Sequence, residues 1–250
     1  HRLPKGKVKT MTIKVNKANQ WFACFCCEMP ETKVVHPSNS KVGIDVGLES
    51  FATLSNGVQV ANPRFLIKSE SKLKILQRRV SKKKKGSRNR RKAIFRLNRQ
   101  HIKVANQRTD FLHKLSNRIT KSYSFIAVEK LNVKAMTKCH WLAKSISDAS
   151  WNSFVNMLSY KAVICGGQMV NVNPRNTSKT CSKCGTITEM PLSKREFLCH
   201  SCGFVCHRDL NASYNILKVG TDCAELNACE HNVRPTLLAV VDEAGTTHGI

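Results

Sequence analysis

Acidic residues are scarce in this chain: 16 Asp and Glu stand against 42 Lys and Arg in 250 residues, a formal net charge of +26. A balance this one-sided favours a polyanionic partner, with nucleic acid first, ahead of a ribosome-like structural role or a membrane surface. Long hydrophobic runs are missing as well. No stretch of 18 apolar residues occurs, so the sequence offers no membrane-spanning helix. The opening residues, His1-Arg2-Leu3-Pro4-Lys5-Gly6, lack the apolar core of a secretory signal. There is no internal repeat. Tyrosine is limited to Tyr123, Tyr160 and Tyr214, and no His-x-His pair accompanies any of them. Tyrosine-dependent strand transfer therefore ranks below the other readings of a nucleic-acid protein.

Cysteine is what the chain has in excess, with twelve. The chain is too large and too basic for a disulfide-stapled secreted domain, and four of the twelve are spaced as zinc ligands, which points to a reducing cytoplasm. Cys181-Ser182-Lys183-Cys184 and Cys199-His200-Ser201-Cys202 are two C-x-x-C knuckles separated by fourteen residues. Each knuckle presents two thiolates from one tight turn, and Zn²⁺ takes four such ligands in a tetrahedron. Gly185 and Gly203, directly after Cys184 and Cys202, let each turn close under the metal. Two surface disulfides are the competing reading, and the regular spacing counts against them. Cys206 and His207 lie close by but are not needed, because the knuckles already supply four ligands.

Residues 8 to 15 alternate apolar and polar, and Trp21 to Cys27 follow as a second β-rich run, so the pattern predicts two antiparallel strands joined near Asn16-Lys17-Ala18-Asn19. His36 to Ser40 reads as a linker. Val42 to Val46 and Phe51 to Leu54 form a predicted hairpin, with Val58 to Val60 as a third strand after the Asn56-Gly57 turn. Residues 124 to 131 read as a buried strand. Ser147-Asp148 is expected to cap a helix running through Trp151, Phe154, Leu158 and Val163. Gln168 to Asn173 is a further strand stopped by Pro174, and a helix is expected from about Asp209 to Leu217. Strands that first meander and then alternate with helices predict a mixed α/β sheet.

Three acids sit in telling places. Asp45 lies in the apolar run Lys41-Val42-Gly43-Ile44-Asp45-Val46-Gly47, Glu129 ends Phe125-Ile126-Ala127-Val128-Glu129, and Asp209 opens the helix beyond the cysteines. Singly, each has an ordinary role: a turn residue, a partner for Lys130 or Lys134, a helix cap. Burying Asp45 and Glu129 in apolar strands, however, costs on the order of several kcal/mol unless each charge is compensated, and a metal ion is the usual compensation. Two acids at strand ends and a third on a helix can converge at one end of a sheet, where they could hold a pair of divalent cations, Mg²⁺ or Mn²⁺, for cutting phosphodiester bonds.

Residues 68 to 121 differ from the rest, with 20 Lys or Arg and only two acids, Glu70 and Asp110. Apolar residues recur at helical spacing on both sides of the Lys82-Lys83-Lys84-Lys85 run, so two long helices with a basic break are predicted. Like charges at this density repel unless phosphates neutralise them. The candidate nucleic-acid contacts are Arg78, Arg79, Lys82, Lys83, Lys84, Lys85, Arg88, Arg90, Arg91, Lys92, Arg96 and Arg99. His101 and His113 in the same stretch are expected at the surface.

Assembled, these blocks resemble the TnpB family, the transposon-encoded OrfB proteins ancestral to type V CRISPR nucleases. The matching residues are Gly43 to Leu48, Val128 to Val133, Trp151 with Leu158 to Ala162, Val172 to Cys181, and Asp209 to Ser213; Asp242 to Thr246 looks like the family's tail. The resemblance implies a RuvC-like nuclease domain of RNase H fold. It makes Asp45, Glu129 and Asp209 the metal-binding catalytic carboxylates and Cys181, Cys184, Cys199 and Cys202 the zinc ligands. It further implies a DNA target and a guide RNA from the transposon end, in a prokaryotic, nucleoid-associated setting. A catalytically silent nucleic-acid-binding remnant or a guide-dependent repressor is the alternative. The expected organisation is a remnant of an N-terminal β-barrel over 1–40 and a RuvC-like domain over 41–180 that includes the basic helical pair 68–121. A zinc-ribbon insert over 181–206 and a final helix with the tail over 207–250 complete it. The chain opens without Met, inside what reads as a strand, which suggests a fragment.

Overall fold

The computed structural model describes residues 6–28, 34–191 and 194–225. Among the described residues the chain divides into two compact units, one holding residues 6–28 with Arg64–Phe111 and the other holding Val34–Pro63 with residues 112–225.

In the first unit, β1 (Lys7–Val15) and β2 (Trp21–Glu28) pair antiparallel as the alternation predicts. Their turn is built by Asn16, whose side-chain oxygen accepts from the N–H groups of Ala18 and Gln20, while Asn19 takes the left-handed conformation. Helix α1 (Phe65–Ser81) and helix α2 (Arg88–Ser122), of which residues up to Phe111 belong to this unit, follow, separated by the basic break. Gly86 turns the chain at φ +82°, and the Ser87 hydroxyl accepts from the Arg90 N–H to start α2. Leu73, Leu76 and Val80 of α1 bury against Leu97 of α2, and Asn98 donates to the Lys17 carbonyl of the β1–β2 turn.

The second unit is built on a five-stranded mixed sheet in the order β5-β4-β3-β6-β7, made of β3 (Lys41–Val46), β4 (Ser50–Leu54), β5 (Gln59–Ala61), β6 (Phe125–Glu129) and β7 (Gln168–Val172). The first three strands form the predicted antiparallel meander, and β6 and β7 join β3 in parallel. Between β6 and β7 lie α3 (Val133–Met136), α4 (His140–Ala149) and α5 (Trp151–Ile164); beyond β7 come β8 (Glu196–Leu198), β9 (Val205–His207) and α6 (Arg208–Glu225). Among the described residues no helix is long and apolar enough to cross a membrane.

Parity along the strands divides the sheet. Val42, Ile44 and Val46 of β3 share one face, while Gly43 and Asp45 point to the other. That second face is covered by α6: Phe125, Ala127, Val170 and Val172 bury against Ile216. Each buried Phe, Val or Ile side chain there contributes about 2 kcal/mol. The approach is close. A Cβ on Gly43 would stand 2.1 Å from the Ser213 carbonyl oxygen and 2.7 Å from the Leu217 nitrogen, and one on Gly220 would meet Ala127 at 2.5 Å. Elsewhere in the unit Phe51 of β4 meets Phe154 of α5 edge-on at 5.1 Å.

Three expectations need correcting. Ser147-Asp148 does not cap a helix; both lie inside α4, and the chain breaks instead at Ser150, whose left-handed conformation (φ +54°) ends α4 and starts α5. Burial of Ile146 and Ala149 draws the last turn of α4 inward and moves the break three residues on. Helix α5 does run through Trp151, Phe154, Leu158 and Val163, with Val163 on its exposed side. Helix α6 continues to Glu225 rather than stopping near Leu217, with Gly220 serving as a helix–sheet contact and not a terminator. His113 is half-buried: its ring Nδ1 and carbonyl, with the Ser116 hydroxyl, receive the ammonium of buried Lys161 at 2.8–3.0 Å. The family-like residues 242–246 lie outside the described residues.

Contact this tight makes Gly43 intolerant of size. Gly43→Val is expected to destabilise the chain by about 1–3 kcal/mol, with urea unfolding against the unsubstituted chain as the check.

Candidate active site and nucleic-acid interface

Register places the first two acids. Gly43 pairs with Ala127 and Ile44 with Val128 across the parallel strands β3 and β6, so one step further along Asp45 comes beside Glu129 at the strand ends. Helix α6 runs antiparallel to β6: Ala224, near its end, packs in the cluster with Phe125, and Ser213 lies against Gly43. Its first turn, one turn before Ser213, therefore reaches the C-terminal end of the sheet and carries Asp209 there. Asp45, Glu129 and Asp209 are all half-buried. Burial, then the charges of Glu129 and Asp209, hold the Asp45 carboxyl well above its usual 3.8, against opposing contributions from the Arg208 guanidinium and the Val46 N–H. Burial likewise raises Glu129, partly offset by the Thr177 hydroxyl, which donates to its Oε1. Three interacting carboxylates of hard oxygen suit a divalent cation of the Mg²⁺ or Mn²⁺ kind.

Among the described residues the four sulfurs of Cys181, Cys184, Cys199 and Cys202 all lie within 4.8 Å of one another. All four are free thiols, and the cross-knuckle distances, 3.7 Å for Cys181–Cys202 and 3.5 Å for Cys184–Cys199, are contacts and not disulfides. The two knuckles repeat one geometry. Gly185 N–H donates to the Cys181 carbonyl and Gly203 N–H to that of Cys199, both glycines having positive φ. The Thr186 hydroxyl and N–H beside Cys184 bring its thiol down to about 6. Against the favouring Phe204 N–H, desolvation and then the thiols of Cys184, Cys199 and Cys181 push Cys202 up to about 12. Four thiols held at contact distance fit Zn²⁺.

The two sites are joined by side chains that the motif reading did not assign. Asn211 is fully buried; its Oδ1 accepts from the Ser182 N–H inside the first knuckle at 2.9 Å and its Nδ2 donates to the Thr180 carbonyl at 2.7 Å. Asn215, one turn on, donates to the carbonyls of Thr177 and Thr180. The segment that carries Thr177 to Glu129 is thus fastened to the helix that carries Asp209. The sequence signal was present: two asparagines four apart on the buried face of a helix must be hydrogen-bonded to something.

Eleven of the twelve basic residues expected to meet nucleic acid are exposed along α1, the break and α2, and Arg90 is half-buried beside the start of α2. Lys74–Glu70 is an ion pair in this stretch, at 3.0 Å.

Comparison with known proteins follows the same division. Residues 24–140 match the OrfB_IS605 family model, described as "Probable transposase", and residues 151–216 match the Cas12f1-like TNB domain. Over 237 residues the chain is 38% identical to a Streptomyces pristinaespiralis protein named "Putative RNA-guided DNA endonuclease". The chain belongs to the OrfB/TnpB family. InsQ of Escherichia coli K12, with the same description, is 35% identical, and the mimivirus TnpB-like protein L79 is 31% identical. The matches take in 93%, 86% and 85% of this chain but 58%, 57% and 43% of those relatives, so this OrfB/TnpB chain spans roughly half of their length. Two solved structures share the fold: a Cas12f1–sgRNA–target DNA complex (TM-score 0.52, 20% identity, 83% of this chain and 55% of that one) and a CRISPR-Cas12f ternary complex (TM-score 0.51, 23% identity, 80% and 42%).

Folded-state carboxyl groups raised by burial contribute stability below their ordinary range that is lost as pH rises through the raised values. In chelator-treated protein the melting temperature should therefore fall as pH climbs from about 4 to 8, and Asp45→Asn should flatten that fall; thermal melts across this range check it. Cys184→Ser is expected to lose the zinc and loosen α6 through Asn211, seen as less than one zinc per chain by metal analysis and faster amide exchange at the start of α6.

Proposed function

We propose that this chain is the catalytic part of an RNA-guided, metal-dependent DNA endonuclease, built on a RuvC-type sheet of the RNase H class. The observation that carries the reading is that Asp45 lies within the fields of both Glu129 and Asp209. Like charges gathered at one sheet end are costly without a cation and have no structural use. The strand order, an antiparallel meander joined by two parallel strands, with Asp45 near the C-terminal end of β3 and Glu129 at that of β6, agrees with it.

Asp45, Glu129 and Asp209 would hold the divalent ions, with Asp45, which senses both partners, as the shared ligand. Bound there, two Mg²⁺ ions would supply an activated water and a Lewis acid for the leaving 3′ oxygen. The chain's own groups do the positioning. Thr177 holds one oxygen of Glu129, and Arg208 tempers the charge on Asp45. The cysteine tetrad, through Asn211, keeps the first turn of α6 against the strand ends. The exposed basic face of α1 and α2 would grip phosphates without reading sequence, so binding should weaken steeply with salt. The relatives' names and the Cas12f1 complexes support a guide RNA and a DNA target as its partners.

The deciding experiment is DNA cleavage by the 250-residue chain in Mg²⁺, with and without RNA transcribed from the flanking element. Cutting should require the RNA and drop to background in Asp45→Ala. Cutting that survives Asp45→Ala would refute the assignment, and salt-sensitive binding with no cutting would leave the alternative of a nucleic-acid binder. Thr177→Val should lower cleavage or the Mg²⁺ dependence by about 10–100-fold while leaving the melting temperature nearly unchanged.

A further inference from the structure

The segment that follows Glu129 has no part in the site described above, yet its composition is unusual. From Lys130 to Ser147 there is no acidic residue, and Lys130, Lys134, Lys138 and Lys144 occur among eighteen positions. Within it Trp141, in the first turn of α4, is 93% exposed, the highest value of any large apolar side chain among the described residues. Exposed apolar residues scattered singly need no explanation, but an indole is the most costly of them to leave in water. Trp141 is not a frayed end: α4 is a ten-residue helix anchored by buried Ile146 and Ala149, so the ring is presented on a rigid support. Lys138 stands three residues before it, Lys134 closes the short helix α3 that packs on α4, and both lysines are exposed. A flat aromatic flanked by cations, with no carboxylate in the segment, is complementary to a nucleobase with phosphates on either side.

We propose that Trp141 is a stacking platform for a base of single-stranded DNA, with Lys134 and Lys138 on the adjoining phosphates, so that one strand is led along α3 and α4 toward the end of β6. The choice of DNA rests on the nuclease reading; the stacking site does not. A duplex keeps its bases paired and hides their faces, so the platform discriminates in favour of an unpaired strand.

The test is binding in EDTA, where nothing is cut, to (dT)20, (rU)20 and a 20-base-pair duplex, using the full chain with Trp21→Phe so that Trp141 is its one exposed tryptophan. Saturating (dT)20 should quench that fluorescence. Trp141→Ala should weaken (dT)20 binding about tenfold, Trp141→Phe by much less, and neither should alter duplex binding by more than about twofold. Equal loss for duplex and single strand, or no loss for (dT)20, would overturn the proposal. A larger loss for (rU)20 than for (dT)20 would overturn its assignment to DNA. Stacking lost in Trp141→Ala by a chain that never cuts would uphold this site while the nuclease reading failed; cutting unchanged with (dT)20 binding also unchanged would do the reverse.

Discussion

The contact on which the rest of this molecule depends is the seating of α6 directly on the backbone of β3 and β6. Gly43 and Gly220 remove two side chains from the interface, and the helix settles until main-chain atoms are nearly in contact. A helix held a side chain's thickness further out would carry the same apolar stripe but would leave Asp209 too far from the strand ends to act on Asp45. The glycines are thus as much a part of the acid site as the acids, although neither bears a functional group.

A second constraint follows from where the acids are. Strands β3 and β6 end among buried aliphatic residues, so the carboxylates at their ends are poorly hydrated and their proton affinity rises, that of Asp45 further through the charges of Glu129 and Asp209. The hydrogen bonds around them, from Thr177 to Glu129 and from Asn211 and Asn215 to the 177–182 backbone, hold the surroundings still without neutralising the charge. Pre-organised repulsion of this kind is destabilising in the folded chain and becomes favourable on binding a cation.

Much of this was legible in the residues. The hairpin of Val42–Val46 with Phe51–Leu54, the basic break between two helices and the paired knuckles each rest on a local rule, and each holds in the structure. The convergence of Asp45, Glu129 and Asp209 was legible only because each stood at the end of an element, where register and helix direction do the rest. What escaped depended on tertiary contacts: the left-handed Ser150 that divides α4 from α5, the burial of Lys161 against His113, and the asparagines of α6. A buried lysine next to a histidine follows no periodic pattern, and its acceptors, a ring nitrogen, a carbonyl and a serine, come from one turn of a distant helix.

The paired knuckles have a consequence for how the chain tolerates change. Their ends are drawn together at the four sulfurs, and the ribbon is fastened to α6 from both sides: by the first knuckle and the residues before it through Asn211 and Asn215, and by the Arg195 carbonyl, which accepts from the Arg208 N–H. A longer connection between the two knuckles would add only about 0.6 kcal/mol for each doubling of its length. That makes the connection a permissive port for a short peptide tag, provided the insertion leaves the four sulfurs and the Arg195 contact with α6 in place.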